Sequence, residues 1–545
     1  MNRHVREAAQ SSLGLLAEVV GVKLQELVQP VKDPLLLPIF GKPLRALPFA
    51  TQIGYIDAVT FCLNIEPAEK DQPNGIIDFD DQLTRLLMET LALADAEDEN
   101  LAAKPSEQRN AENIVNLRVA CLGLLSTAIG LPAFALSQMN QNRPRIISVF
   151  FRSLYSKNTE VAKAANKGLE IVLKSTNKLP KDLLQNGLRP ILMNVQDPKK
   201  LSVEGLEGLR TLLQLLTNYF KVEIGSRLLD HMKQIADVPS LQKVSFTLVE
   251  QNPRMKIVTA IFSVFHLLPT AAVQFLGTLV DRVLELERGL RRTQRSPFRD
   301  PLIKYLNHYP KESWAYFSSA IKNTAKGRLF AQLLEDPSSG PLRDIVAREA
   351  AVFADTFTTA GGDAEKSQAA INGIHVAYAL SIHSETGAWL VPHERCRRAL
   401  FEAAKDLESS LNNNTIAPNL RLAAEQAAEL IMTVLTTYLS HEPEDLDFFF
   451  EIVEAITMDQ LRFCPSLIDF IYKRIISSDS VEYQKSVLLR CIDVYTNRQT
   501  SQRTKTFAFH YILNPTFAMD VMRNWEKLFD GTKGTALLDK SLTDA

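Results

Sequence analysis

The chain lacks most of what would tie it to catalysis or to an oxidising compartment. Its five cysteines, Cys62, Cys121, Cys396, Cys464 and Cys491, are scattered, and no two form a CxxC. An odd, dispersed set gives no disulfide framework and points to a reducing compartment, cytosol or nucleus. Charge of one sign is missing too. With 61 basic against 63 acidic residues the net charge is −2, so direct nucleic-acid binding is not indicated. Glycine (22) and proline (26) are modest for 545 residues, which excludes fibrous and disordered classes. The N-terminal MNRHVREAAQSSLG is charged and helix-like, without the apolar core of a signal peptide. Two uncharged stretches, Val119 to Leu136 and Ile257 to Val280, are interrupted by Pro132 and Pro269. Each reads as a buried helix, a proline turn and the start of the next helix. A membrane span would need ~20 predominantly apolar residues in one helix.

Strand signals are nearly absent: Asn74-Gly75 and Asp530-Gly531 lie in loop-like contexts, not between alternating runs. Catalytic spacings are absent as well. There is no GxxxxGK[ST], GxSxG or HExxH, and the glycines between Asp530 and Thr535 lack phosphate-loop spacing. His441 sits beside Glu442, Glu444 and Asp445 without a second His or Cys at ligand spacing, and reads as part of an exposed loop. His266 and His375 lie on apolar helices and read as core histidines. The expectation is no catalytic residue, no metal ligand, no cofactor and no small-molecule substrate.

What the chain does have is period. From Asn158 to Leu216 apolar residues recur every three or four positions. Val161, Ala165, Gly168 and Val172 form one stripe, and Leu206, Leu209, Leu213 and Leu216 another. Short turns at Lys178 to Pro180 and at Asp197-Pro198 separate them. Arg143 to Tyr155 supplies a preceding helix with Ile147, Phe150, Phe151 and Leu154 inward, and Asn158 or Thr159 caps the next. Helix, turn and helix, restarting about every 40 residues, predict an all-α, HEAT-type solenoid of roughly 12 to 14 helix pairs.

The predicted organisation is helical repeats over 1–94, a flexible acidic and polar loop over 95–113, continuous repeats over 114–530 and a disordered tail over 531–545. Inside the first block, Asp33 to Pro48 reads as a proline-braced connection that interrupts the helix. Pro190 predicts a kink. Gly361-Gly362-Asp363 and Asn412 to Asn414 mark loops. Gly205 and Gly208 read as close helix packing, and Phe448-Phe449-Phe450 as a helix burying at least two of its rings.

One basic cluster is the candidate partner-binding site: Arg288, Arg291, Arg292, Arg295 and Arg299. The first four fall on one helical face if the helix runs on to Pro297. They fit contact with phosphate, an acidic activator segment or a partner subunit. The plainer role is a solvated helix end that complements the macrodipole or pairs with neighbouring repeats, and it is the preferred one.

Four long segments carry a family likeness: Leu35 to Cys62, Lys178 to His231, Leu290 to Phe317 and Phe507 to Trp525. Lys178 to His231 reads KLPKDLLQNGLRPILMNVQDPKKLSVEGLEGLRTLLQLLTNYFKVEIGSRLLDH. Together they resemble the helical-repeat region of the TRRAP family of transcription-associated proteins, in a spelling closer to fungal members. The resemblance implies a large pseudokinase relative of the phosphatidylinositol 3-kinase-related kinases. Such proteins are nuclear, non-enzymatic scaffolds of SAGA and NuA-type histone acetyltransferase complexes. The implied partners are protein subunits of those complexes and acidic transcriptional activators. The FAT and kinase-like regions of the family have no counterpart in these residues, so the chain resembles an internal slice. Such a slice is expected to self-associate when made alone, because solenoid ends lack polar caps; a monodisperse monomer by light scattering would contradict that. Two rival readings are a karyopherin-like HEAT transport receptor and a fragment of an active kinase of the same superfamily.

Overall fold

The computed structural model describes residues 3–65, 76–96, 111–156, 158–175, 179–245, 248–291, 296–357, 364–413, 418, 421–455, 465–478 and 480–523. The described residues are helices joined by turns, with no strand among them. They form two compact units, residues 1–272 and 273–545.

In the first unit the main helices are α1 (Arg3–Val20), α2 (Lys32–Phe40), α3 (Phe49–Leu63), α4 (Asp81–Asp95), α5 (Ala111–Gly130), α6 (Arg143–Ser153), α7 (Thr159–Ser175), α8 (Lys181–Gln196), α9 (Val203–Leu216), α10 (Glu223–Ile235) and α11 (Pro253–Phe262). Helix α3 packs on α5, α5 on α7, α7 on α9 and α9 on α11. Helices α4, α6, α8 and α10 form the second layer in the same way. This is a HEAT-type solenoid: each helix is held by its sequence neighbours and by the helix two further on. Successive first-layer helices from α5 begin 48, 44 and 50 residues apart, somewhat longer than the expected repeat.

The second unit repeats the plan. Helices α12 (Leu276–Leu290), α14 (Thr324–Leu334), α16 (Ala364–Ser381) and α18 (Arg421–His441) pack in succession. Against them lie α13 (Arg299–His308), α15 (Gly340–Arg348) and α17 (Glu394–Asn412), and α19 (Leu446–Ala455) meets α17 and α18 through Phe448.

The stripes explain the layers. On α7, Val161, Ala165, Gly168, Leu169 and Val172 are buried, and on α9 Leu206, Leu209, Leu212, Leu213 and Leu216 are. Each fully buried Leu or Val contributes about 1.5–3 kcal/mol. Asn158 Oδ1 accepts from the N–H groups of Glu160 (2.9 Å) and Val161 (3.4 Å) and so caps α7. Asp197 Oδ1 accepts from Lys199 N–H at 3.0 Å and closes the turn after α8.

Glycine lets the layers approach. A Cβ on Gly168 would lie 2.7 Å from the Phe150 ring and from Ser126 Oγ, and one on Gly187 would lie 2.6 Å from the Phe151 ring. Gly168→Ala is therefore expected to destabilise locally. Overpacking costs about 1–3 kcal/mol, against about 1 kcal/mol gained in helix propensity. Faster amide exchange across α6 and α7 would report it; unchanged exchange would contradict the close packing.

Several expectations need correction. Lys32–Phe40 is a helix with Pro38 inside it, not an interruption. Pro34 falls in the first turn, where its missing N–H is not needed. Helix α4 runs through Asp95, and α5 begins at Ala111, so the expected loop is shorter at both ends; 97–110 lies outside the described residues. Asp95 is held by Arg145 (2.9 Å) and by Arg152. Helix α17 extends to Asn412 and His441 ends α18, both helical where loops were expected. Gly361 to Asp363, Cys464 and the 531–545 tail lie outside the described residues. One helix, Glu112–Gly130, is long and apolar enough to cross a membrane by length and composition. Half of that stretch is buried in the unit, where it packs on α3, α4 and α7, as a core helix does.

Candidate partner-binding site

The arginine cluster is not one helical face. Helix α12 stops at Leu290, because Arg291 adopts left-handed backbone with φ 53° and donates its N–H to the carbonyls of Arg288 and Glu287. A left-handed non-glycine residue costs about 1–2 kcal/mol, and it turns the chain away well before Pro297. Arg288 and Arg291 are exposed. Arg292 and Arg295 lie outside the described residues.

Arg299 faces inward. It opens α13 and grips Glu287 of α12 with two hydrogen bonds, Nε to Oε1 at 2.8 Å and Nη2 to Oε2 at 3.1 Å. The same Nη2 donates to Gln332 Oε1 of α14 at 2.8 Å. Glu287 is only 4% exposed. Arg299 thus ties three helices together and is withdrawn from the candidate surface. No sequence signal marks the pair, since a spacing of 12 residues across a turn matches neither helical neighbour rule.

The remaining candidates are structural. Phe448, Phe449 and Phe450 are all buried on α19. Phe448 meets Phe401 and Tyr438 edge-on, and the Arg397 guanidinium lies over the Tyr438 ring at 4.6 Å. Gly208 packs against the Leu154 carbonyl, where a Cβ would sit at 3.3 Å, whereas Gly205 meets only the capping Ser202 of its own helix. Among the described residues no group of three or more His, Cys, Asp or Glu is placed to hold a metal ion. Cys62, Cys121, Cys396 and Cys491 are unpaired thiols. Burial pushes Cys121 and Cys491 up to about 12 and Cys396 to about 11, so none is a ready nucleophile.

His375, on α16, is half-buried. Burial, then the nearby Arg328, hold its pKa below the usual 6.5. The unfolded chain therefore takes up this proton first, and stability falls as pH drops through and below about 6.5. Thermal melts between about pH 7.5 and 5 should show a shallower decline for His375→Gln than for the native chain. Parallel curves would contradict the burial of this imidazole.

The first unit also carries an open trough of about 1070 Å³. One wall is α3, through Ala50, Ile53, Asp57 and Asn64; the other is α5, through Glu112, Asn116, Val119 and Gly123. The spacing within each set is that of one helical face. The two helices run side by side in the same direction: Asn64 at the end of α3 comes within 3.5 Å of Thr127 near the end of α5. Helix α1 closes one side, where Arg6 pairs with Asp57 at 2.8 Å, and Glu160 in the first turn of α7 borders another. No sequence signal marked this site, because its walls come from segments about 60 residues apart in the chain.

The comparisons with known proteins agree with the fold. The family profile described as the Tra1 HEAT repeat ring region matches residues 1–544. The SAGA complex/NuA4 acetyltransferase complex subunit Tra1 of Schizosaccharomyces pombe is 35% identical over 519 residues, which cover 94% of this chain and 14% of that protein. The Saccharomyces cerevisiae protein of the same description is 41% identical over 360 residues, covering 65% of this chain and 9% of that protein. The human Transformation/transcription domain-associated protein is 24% identical over 549 residues, covering 95% and 14%. The higher identity to the two yeast proteins agrees with the fungal spelling. The chain spans between 9% and 14% of the length of these relatives.

Proposed function

The chain belongs to the family of the Tra1 HEAT repeat ring region, and from that premise we propose that it is a non-enzymatic scaffold segment of SAGA- and NuA4-type histone acetyltransferase assemblies, working in the nucleus. The observation that carries this reading is a single family match running from residue 1 to 544 through a chain built of two-layered helical repeats. Each repeat contacts only its neighbours, so the chain exposes much surface per residue and suits the holding of other proteins. Its partners are subunits of those assemblies and acidic transcriptional activators. Activator segments of this kind order themselves on a surface and bind with modest affinity per unit area. Arg288 and Arg291, with Arg292 and Arg295, supply cations for them. Charges at an interface rim act mainly on association rate and salt dependence.

A fluorescein-labelled acidic amphipathic peptide tests the arginine role by fluorescence anisotropy. Arg288→Glu/Arg291→Glu should weaken binding about 3- to 10-fold, or roughly 0.7–1.4 kcal/mol, and flatten its salt dependence. Unchanged affinity and salt slope would remove the arginines from the binding surface.

A further inference from the structure

We propose that the connection of residues 382–393, between α16 and α17, is a clasp that closes α15 from the following repeat, so that α15 opens when the clasp opens. The inference concerns motion within the second unit and does not depend on the scaffold role.

The clasp reaches both ends of α15. At the start, His383 Nε2 lies 3.0 Å from the Glu335 carbonyl at the end of α14, and the Glu385 carboxylate lies 3.8 Å from the Arg343 guanidinium of α15. At the far end, His393 Nε2 lies 3.0 Å from the Ala347 carbonyl in the last turn of α15. Just beyond it, the Cys396 thiol of α17 donates to the Ala350 carbonyl at 3.1 Å. A carbonyl only accepts, so in both histidines Nε2 carries the hydrogen. The Glu335 and Ala347 carbonyls lie at helix ends, where the helix itself supplies no N–H, so donors from the next repeat fill their place.

Arg343 adds to the cost of opening. It is 2% exposed and donates to the carbonyls of Leu334 at 3.0 Å, of Pro337 at 3.1 Å and of Asp336. Those acceptors are neutral, and the carboxylate that approaches it, Glu385, belongs to the clasp. A buried cation needs its partners in place.

The clasp is tied to its own repeat. The Thr386 hydroxyl donates to the Leu380 carbonyl of α16 at 2.7 Å, and the Trp389 indole N–H donates to Ser381 Oγ at 2.9 Å. Trp389 and Leu390 are buried. Ile382, Glu385 and Val391 are exposed, which leaves the outer side of the clasp within reach of another molecule. A partner that lifts this side frees α15, and one that binds α15 steadies the clasp, because such coupling is reciprocal.

Amide exchange of the full chain, read by mass spectrometry over residues 340–353, tests the clasp. His383→Leu and His393→Leu each remove a donor and should speed that exchange about 5-fold. His383→Gln and His393→Gln keep a donor at similar reach and should retain most of the protection. The deciding variant is Thr386→Val, which removes no hydrogen bond to α15 but loosens the clasp on its own repeat. It should speed exchange over 340–353 as well, while exchange in α12 stays native. Native exchange over 340–353 in the two leucine variants would overturn the proposal. So would native exchange there in Thr386→Val, or an acceleration equally large in α12, which would mean that the unit opens as a whole.

Discussion

Arg299→Ala is expected to destabilise the second unit by about 3–5 kcal/mol. Its guanidinium holds both oxygens of Glu287, a carboxylate buried to 4% exposure, and also Gln332. Removing it leaves a desolvated negative charge at the junction of α12, α13 and α14. The mechanism has a distinguishing control. Replacing both partners, as in Glu287→Leu/Arg299→Met, removes the charge and its counter-charge together. The double variant should recover most of the loss, because a buried pair replaced by apolar side chains of similar volume is often near neutral. Arg299→Lys should fall between the two, since an ammonium cannot grip both carboxylate oxygens and Gln332 in one plane. Urea unfolding followed by amide exchange in α12 to α14 would read the series. A native-like Arg299→Ala would mean that Arg299 is a surface cation after all.

Gly327→Ala should cost about 2–4 kcal/mol in the same unit, from overpacking and broken hydrogen bonds less the gain in helix propensity. A Cβ at Gly327 would lie 2.3 Å from Asn372 Nδ2 and 2.6 Å from its Cγ. Asn372 has little room to yield. It is 2% exposed, donates to the Ile321 carbonyl at 2.8 Å and accepts from Gln368 Nε2 at 3.1 Å. Moving it strips a donor from a buried carbonyl at the turn before α14. The two sites should be coupled. Asn372→Ala opens the space that the added methyl of Gly327→Ala needs, so the double variant should lose less than the sum of the single ones. Additive losses would show that the glycine matters for some reason other than this contact.

Much of the fold was readable because a solenoid repeats one physical instruction. The stripes through Val161 to Val172 and Leu206 to Leu216 state which helix face is buried, and Asn158 and Asp197 state where helices begin and turns close. Errors arose where local rules compete. Proline at 34 and 38 suggested a broken helix, but Pro34 sits in a first turn that needs no N–H, and packing carries the rest of α2. The arginine run looked continuous because periodicity takes no account of backbone handedness, and Arg291 ends the helix without a glycine. The Glu287–Arg299 grip and the trough walls join residues that only tertiary packing brings together, so neither leaves a pattern in the linear chain. In the sequence Gly168 is one position of an apolar stripe, and nothing marks Gly327. Their role is decided by Phe150 and Asn372, which come from other helices.

The scaffold role is tested most directly by affinity purification of the endogenously tagged protein from nuclear extract, with mass spectrometry of what accompanies it. The proposal expects subunits of histone acetyltransferase complexes in amounts comparable to the tagged protein, retained at about 0.15 M salt. A transport GTPase as the dominant partner, or recovery of the protein with no acetyltransferase subunit, would contradict it.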